Sequence, residues 1–192
     1  MSNSADLLET IELSDGHKVL IFPDTEAESP REWDNLGSML CAHGKYKLGD
    51  EDQEVFEDAE SWQDNLEMIK EQLGEQIISL PLDLYDHSGI TMNTEGFSDQ
   101  WDSGQVGFIY IPVSKALAEL GSGSAELDDE IREKVLEALK DEVKTYDSYL
   151  RGDVFRFELQ NPEGDQIESC SGFYSVEDAE QAAAEMVTSS EQ

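Results

Sequence analysis

Short apolar runs, separated by residues that favour turns, predict most of the strands of this chain. The runs at 10–13 and 17–22 flank the turn-forming segment 14–16, which predicts a hairpin near the start of the sequence. Pro81 falls inside a later run and predicts an edge position or a bulge, because proline cannot donate to a strand ladder. The remaining strands are predicted at 36–42, 76–85, 90–94, 105–111, 154–160 and 166–174, the last two as a second hairpin.

Apolar residues that recur every three or four positions predict four helices. Ser114 and Ser175 are placed to cap the N-termini of two of them, and Gly74 and Gly152 are placed to end the other two. The predicted helices span 59–73, 114–120, 127–150 and 175–187. The most regular pattern belongs to 127–150, where one face carries Leu127, Ile131, Val135, Leu139, Val143 and Tyr146.

The order of these elements predicts an α+β fold. Strands adjoin in the sequence and helices follow groups of strands, which is typical of an antiparallel sheet and not of repeated βαβ units. We expect a single domain over 1–192, in which a largely antiparallel sheet is packed by two or three helices. Within it, 1–30 would form an N-terminal hairpin and acidic loop, 121–125 a flexible joint, and 188–192 a frayed tail.

The net charge excludes several classes of partner. The 192 residues include 45 acidic and 12 basic side chains, for a net charge of −33. No Lys or Arg occurs from Glu71 to Ser114, and a grip on phosphates needs clustered cations, so direct binding to a nucleic-acid backbone is excluded. The same repulsion excludes an anionic membrane surface, and no apolar run is long enough to span a bilayer.

The distribution of the charge bears on its origin. Five consecutive segments that together cover the chain each carry a net charge between −5 and −8. This even spread favours adaptation of the whole surface to high salt, where counterions screen the self-repulsion. The alternative is mimicry of a nucleic acid, in which carboxylates stand in for phosphates.

Two features predict a cytoplasmic location. Residues 1–6 lack the basic and apolar regions of a secretory signal. Cys41 and Cys170 show no pairing pattern, so we expect two buried, reduced thiols.

The common catalytic and nucleotide-binding motifs do not occur in the sequence. Residues 50–54 resemble the first half of a calcium loop, but Val55 and Ser61 replace its turn glycine and its closing glutamate, so 48–58 is interpreted as a solvated acidic loop. The adjacent residues of 86–88 cannot form a catalytic relay with one another, because their side chains face opposite sides of an extended chain. They predict a turn in which the Asp86 carboxylate accepts backbone N–H groups and Gly89 has a positive φ.

One set of residues could hold a divalent metal. His43, Asp86, His87 and Asp102, with Cys41 as a further candidate, offer the imidazole and carboxylate ligands that suit zinc, manganese or iron. Nothing in their spacing requires them to converge, so our main expectation is a protein without a cofactor.

The loop before the strand at 105–111 is a candidate binding loop. Its tryptophan, Trp101, has Asp, Ser and Gln neighbours, and Trp is enriched where proteins bind one another. We favour the interpretation that Trp101 packs on the end of the sheet and Asp102 caps the turn, because Trp is mostly buried. The alternative is a binding loop composed of Tyr85, Ser88, Trp101, Ser103 and Gln105.

Three groups of segments between 33 and 174 are distinctive together. They are WDNLG at 33–37 with 43–50, LYDHSG at 84–89 with WDSGQVGFIY at 101–110, and YDSYLRGDV at 146–154 with 169–174. The chain thereby resembles an uncharacterised family of proteins encoded by phages, prophages and plasmids. The resemblance implies a mobile-element context, in which small proteins often serve replication control or counter host defence. It implies no activity, cofactor or site residue.

These observations lead to a function of binding. We expect an acidic cytoplasmic accessory protein of a mobile genetic element or a halophilic host, which binds a protein partner and does not catalyse a reaction. Two alternatives stay open. The first is a nucleic-acid mimic that inhibits a DNA-handling or host-defence enzyme, and the second is a metal-dependent hydrolase that uses His43, Asp86, His87 and Asp102.

Overall fold

The computed structural model describes residues 6–51, 55–56, 59–99, 101–121, 123–124 and 126–190. Over these residues the chain forms four α-helices and eight strands, and all the strand pairs are antiparallel, which confirms the α+β prediction. The elements are β1 Glu9–Glu12, β2 Lys18–Pro23, β3 Ser38–Cys41, α1 Trp62–Leu73, β4 Ile77–Asp86, β5 Ile90–Asn93, β6 Ser103–Pro112, α2 Val113–Leu120, α3 Asp129–Arg151, β7 Phe155–Gln160, β8 Gln166–Phe173 and α4 Val176–Ser190. None of the described helices has the length and apolarity that a membrane span requires.

The chain divides into two compact units, and the first joins Met1–Ser29 with Ser148–Gln192. Its sheet has the order β1-β2-β7-β8, so the two hairpins predicted from the sequence are confirmed and meet through the β2–β7 pair. Helix α4 packs on this sheet, with Ser175 as its cap: the Ser175 Oγ accepts the N–H of Asp178 at 3.0 Å. The resulting core contains Val19, Ile21, Phe157, Leu159, Ala179, Ala183 and Val187.

The second unit, Pro30–Asp147, contains the sheet β3-β6-β4-β5 with α1, α2 and most of α3. Strand β6 is an inner strand, as predicted. Pro81 pairs only towards β6, because β5 begins to pair at Asp83, so the expected edge position is met locally. The bulge lies beyond the proline, between Leu82 and Asp83. The predicted face of α3 is confirmed from Ile131 onward, and its buried residues are Ile131, Val135, Leu139, Val143 and Tyr146. Leu127 of the predicted face precedes the helix and is half-buried.

Some local predictions need correction. Ser114 does not cap α2, because Pro112 occupies the cap position and the Glu75 carboxylate binds both the backbone N–H and the Oγ of Ser114, at 2.9 and 2.7 Å. A carboxylate is the favoured partner there, since the N-terminus of a helix carries partial positive charge. Helix α4 continues through 188–190 of the predicted frayed tail, whose last two residues lie outside the described ones. Of the predicted joint 121–125, residues 122 and 125 also lie outside, and Gly121 is buried at the end of α2.

Candidate binding surface around Trp101

One end of the second unit's sheet brings together segments that are distant in the sequence. Tyr85 near the end of β4 pairs with Ser103 at the start of β6, and the Asp86 N–H donates to the Asp102 carbonyl at 2.8 Å. The loops that follow β4 and precede β6 therefore emerge side by side. The segment after β3 reaches the same end because β3 runs antiparallel to β6. We call this region the Trp101 surface, and it comprises Lys45, Tyr46, Tyr85, Asp86, His87, Phe97, Trp101 and Asp102.

Trp101 projects into solvent, with 97% of its surface exposed. The prediction that it packs on the sheet end, with Asp102 capping the turn, is therefore wrong. The turn is held by Asp99 instead, whose Oδ1 accepts the Trp101 N–H at 2.9 Å and whose carbonyl accepts the Ser103 hydroxyl. Phe97 lies against Tyr85 at this end of β4, with 5.5 Å between the ring centroids. The ring packed against Tyr85 at this end of the sheet is thus that of Phe97, and the indole of Trp101 lies in solvent.

His87 and Asp102 form a hydrogen-bonded pair at the same end of the sheet. The His87 Nδ1 lies 2.9 Å from the Asp102 Oδ2, and the imidazole stacks on the Tyr85 ring with centroids 6.0 Å apart. The two side chains of the pair stay 62% and 41% exposed. An Asp–His pair of this kind orients an imidazole as a general base. General-base chemistry gains most from a site that excludes water, and this pair faces solvent, so the arrangement suits recognition better than catalysis.

The Asp86 carboxylate binds two residues of the segment that follows β3, Lys45 and Tyr46. Its Oδ1 accepts the Tyr46 hydroxyl at 3.0 Å, and its Oδ2 lies 3.3 Å from the Lys45 Nζ. The hydrogen bond from Tyr46, followed by the interactions with Lys45, lowers the pKa of Asp86. The expectation that this carboxylate binds backbone N–H groups of its own turn is wrong, because Tyr46 and Lys45 supply stronger non-local partners. In that turn Ser88 has the left-handed φ of 59°.

The residues of the predicted metal set are engaged in separate contacts. Asp86 binds Lys45 and Tyr46, while His87 binds Asp102. His43 stacks on Tyr46, 5.1 Å between centroids, and its Nδ1 accepts the N–H groups of residues 45 and 46. Within the described part of the chain, no group of three or more His, Cys, Asp and Glu side chains could hold a metal ion. A divalent metal at these residues stays a prediction for metal analysis to test.

The predicted binding loop is only partly assembled at the Trp101 surface. Tyr85, Ser88, Trp101 and Ser103 lie at this end of the sheet, whereas Gln105 is used within β6, where its Nε2 donates to the Gly107 carbonyl at 3.0 Å. Sequence reasoning missed Lys45, Tyr46 and Phe97. No local pattern marks Lys45 or Tyr46, because they reach Asp86 only through strand pairing.

A second polar cluster of the same unit is buried. The Arg31 side chain is 3% exposed and donates to Asp50 at 2.7 Å, to Glu142 at 3.0 Å and to the Gly37 carbonyl at 2.7 Å. Glu142 also accepts the Leu36 and Gly37 N–H groups, and Asp50 accepts the N–H of residue 39. The prediction of a solvated acidic loop is thus wrong for Asp50, and residues 52–54 and 57–58 of that loop lie outside the described ones. We call this cluster the Arg31 network.

Cys41 and Cys170 are free thiols, as expected, but each is half-buried and not buried as predicted. Burial, together with the neighbouring Asp50 carboxylate, raises the pKa of Cys41 to about 12. This thiol is therefore protonated at neutral pH and is not a nucleophile for the Trp101 surface.

Comparison of the chain with models of protein families, with curated proteins and with solved structures gives no match.

Proposed function

We propose that this chain is a non-enzymatic, cytoplasmic accessory protein of a mobile genetic element or a halophilic host, and that it binds another protein through the Trp101 surface. The observation that carries the proposal is the 97% exposure of Trp101. Large aromatic side chains are usually buried in a monomer, and tryptophan is the residue most enriched at the energetic centres of protein interfaces.

The order of the surrounding groups supports the same conclusion. Asp99 binds the backbone of Trp101, and the Tyr85 ring contacts both His87, which stacks on it, and Phe97, which lies tilted against it. Rigid groups lose little conformational entropy when a partner binds, so more of the contact energy appears as affinity. An exposed surface whose neighbouring rings are already packed against one of their number, Tyr85, is therefore suited to docking.

The charge supports a high-salt environment. The first unit carries 17 acidic and 3 basic residues and the second 28 and 9, for net charges of −14 and −19 that make up the total of −33. Both units are thus strongly acidic, whatever the role of the Trp101 surface. We expect the melting temperature in circular dichroism to fall as KCl is lowered from molar concentration to about 0.1 M, where the Debye length grows to about 10 Å. Equal stability at the two salts would contradict salt adaptation.

Site-specific crosslinking tests the docking role. A benzophenone amino acid replaces Trp101 in cells of the producing organism, and crosslinked proteins are identified by mass spectrometry and then titrated as purified proteins. The matched control carries the benzophenone at Trp33, which is 49% exposed in the same unit. A crosslink from position 101 alone, to a protein whose purified form binds the wild type and loses affinity with Trp101→Ala, is the expected result.

Two other outcomes are informative. The absence of any crosslink specific to position 101 would overturn the proposed function. A specific crosslink to a DNA-handling or host-defence enzyme, from which duplex DNA displaces the protein, would instead identify nucleic-acid mimicry.

A further inference from the structure

The Trp101 surface combines an exposed aromatic face with carboxylates. Between residues 83 and 102 there are five acidic side chains, at 83, 86, 95, 99 and 102, and no Lys or Arg. Lys45, which the fold brings to this end, is bound to Asp86 and lies over the Tyr46 ring, 4.6 Å from its centroid. The field that a partner meets beside Trp101 is therefore negative, and it favours a positively charged partner.

Each of the two carboxylates that flank Trp101 in the sequence, Asp99 and Asp102, uses one of its two oxygens in a hydrogen bond. One oxygen of Asp99 accepts the Trp101 N–H, and one oxygen of Asp102 binds His87. Within the described residues the second oxygen of each carboxylate has no hydrogen-bond donor. Each carboxylate thus holds the loop with one oxygen and offers the other to a donor from outside the chain.

Resting on the proposed function, we propose that the occupant of the Trp101 surface is a cationic segment of the partner protein, with an arginine guanidinium over the indole of Trp101. The face of an indole is the best side-chain acceptor of a cation, and arginine is the cation most often found there. The planar guanidinium also presents several N–H donors in a fixed fork, which suits the carboxylates that flank Trp101 in the sequence and which the compact ammonium of lysine cannot match. Charge complementarity, the exposed indole and the open carboxylate oxygens all select the same chemistry.

Peptide binding to the full chain tests this inference directly. The probe is a fluorescently labelled peptide of Arg-Gly-Gly repeats, and the matched peptides carry lysine or neutral citrulline in place of arginine. Affinities are measured by anisotropy over a series of KCl concentrations, because a chain with a net charge of −33 attracts any polycation at low salt. We expect the arginine peptide to bind most tightly and the citrulline peptide most weakly, with the preference for arginine over lysine kept at high salt.

Protein variants separate the surface from the bulk charge. Trp101→Ala is expected to weaken binding of the arginine peptide by about tenfold or more, as for an interface hot spot. Asp102→Asn, which keeps an oxygen for His87, is expected to weaken it several-fold. The controls Trp33→Ala and Asp165→Asn, which remove another exposed tryptophan and an exposed carboxylate of the hairpin turn, are expected to leave it unchanged.

Two results would overturn the inference. One is equal loss of affinity in Trp101→Ala and Trp33→Ala, or no loss in either, which would identify non-specific attraction to the acidic surface. The other is a partner, crosslinked from position 101, whose contacting segment is neutral or acidic. That second result would leave the proposed docking function intact while removing the cationic partner, so the two failures are distinguishable.

Discussion

The Arg31 network and the Trp101 surface lie in the same unit, and both contain carboxylates. They differ in how completely their polar groups are paired within the chain. In the Arg31 network each charge meets a charge or a backbone group of the chain, and the guanidinium is 3% exposed. At the Trp101 surface and in the adjoining Asp99, the indole and one oxygen each of Asp99 and Asp102 have no hydrogen-bond partner among the described residues. We call the first cluster closed, because its polar groups are paired within the fold, and the second open, because some of its polar groups are left exposed.

The difference teaches how to separate structure from function in a strongly acidic chain. The net charge of −33 does not show which carboxylates are structural and which are available for binding. The hydrogen-bond partners of each carboxylate make that distinction. Glu142 and Asp50 accept backbone N–H groups of 36–39 and thereby fix the entry into β3, so their role is complete within the fold. A group whose partners are incomplete although its loop is ordered is the better candidate for binding.

The largest expected loss of stability follows from removing the cation of the Arg31 network. Replacing Arg31 by Met leaves Asp50 and Glu142 buried without their counter-charge, which is expected to lower the free energy of unfolding by about 3–5 kcal/mol. Urea denaturation in molar KCl measures it, since salt hardly screens a buried pair. The matched control is Arg151→Met, whose ion pair with Asp153 is half exposed and is expected to contribute less than about 1 kcal/mol. Equal losses in the two variants would mean that the network is not closed.

A smaller loss is expected when one carboxylate of the network becomes an amide. Glu142→Gln keeps an oxygen for the Leu36 N–H but turns an N–H₂ group towards the Arg31 guanidinium, so we expect a loss of about 1–3 kcal/mol. Glu137→Gln on the exposed side of α3 is the control and is expected to stay within about 0.5 kcal/mol of the wild type. If both variants unfold at the same urea concentration, the Glu142 charge does not stabilise the unit.

The parts of the fold that the sequence predicts are those fixed by local pattern. The face of α3 follows from its apolar spacing, and both hairpins follow from their turn residues. The pairing of β2 with β7 joins residues more than a hundred positions apart, and no local pattern encodes it. The Arg31 network was missed for the same reason, because Glu142 looks like any exposed acid of a charged helix until the chain folds.

The sequence pointed to the region of the candidate site but not to its arrangement. The distinctive residues of 85–105 drew attention to the loop that the structure shows to expose Trp101. The exposure of Trp101 could not be predicted, because burial depends on whether another ring, here Phe97, occupies the sheet end. The pairing of His87 with Asp102 likewise needs the β4–β6 register, which places residues 86 and 102 side by side.

Acid titration probes an intermediate case, a partly exposed carboxylate with partners on one side. The hydrogen bond from Tyr46, ahead of the interactions with Lys45, lowers the pKa of Asp86 below the ordinary 3.8. Since this folded-state pKa lies below that of the unfolded chain, the stabilising contribution is present above pH 3.8 and is lost as the pH falls further. In Tyr46→Phe we expect the pKa of Asp86 to rise towards its ordinary value, measured by NMR of the side-chain carboxyl. An unchanged titration would show that Tyr46 does not bind Asp86 in solution.

Trp101→Ala is expected to have the smallest effect on stability, although it is expected to have the largest effect on binding. Trp101 is 97% exposed, so Trp101→Ala is expected to change the free energy of unfolding by no more than about 0.5 kcal/mol. Tyr85→Ala, which removes the ring contacts with Phe97 and His87, is the contrasting variant and is expected to lose more. A loss above about 1 kcal/mol in Trp101→Ala, measured in the same urea titration, would mean that the indole packs on the chain. The Trp101 surface would then be closed like the Arg31 network, and an effect of this variant on partner affinity would no longer separate recognition from folding.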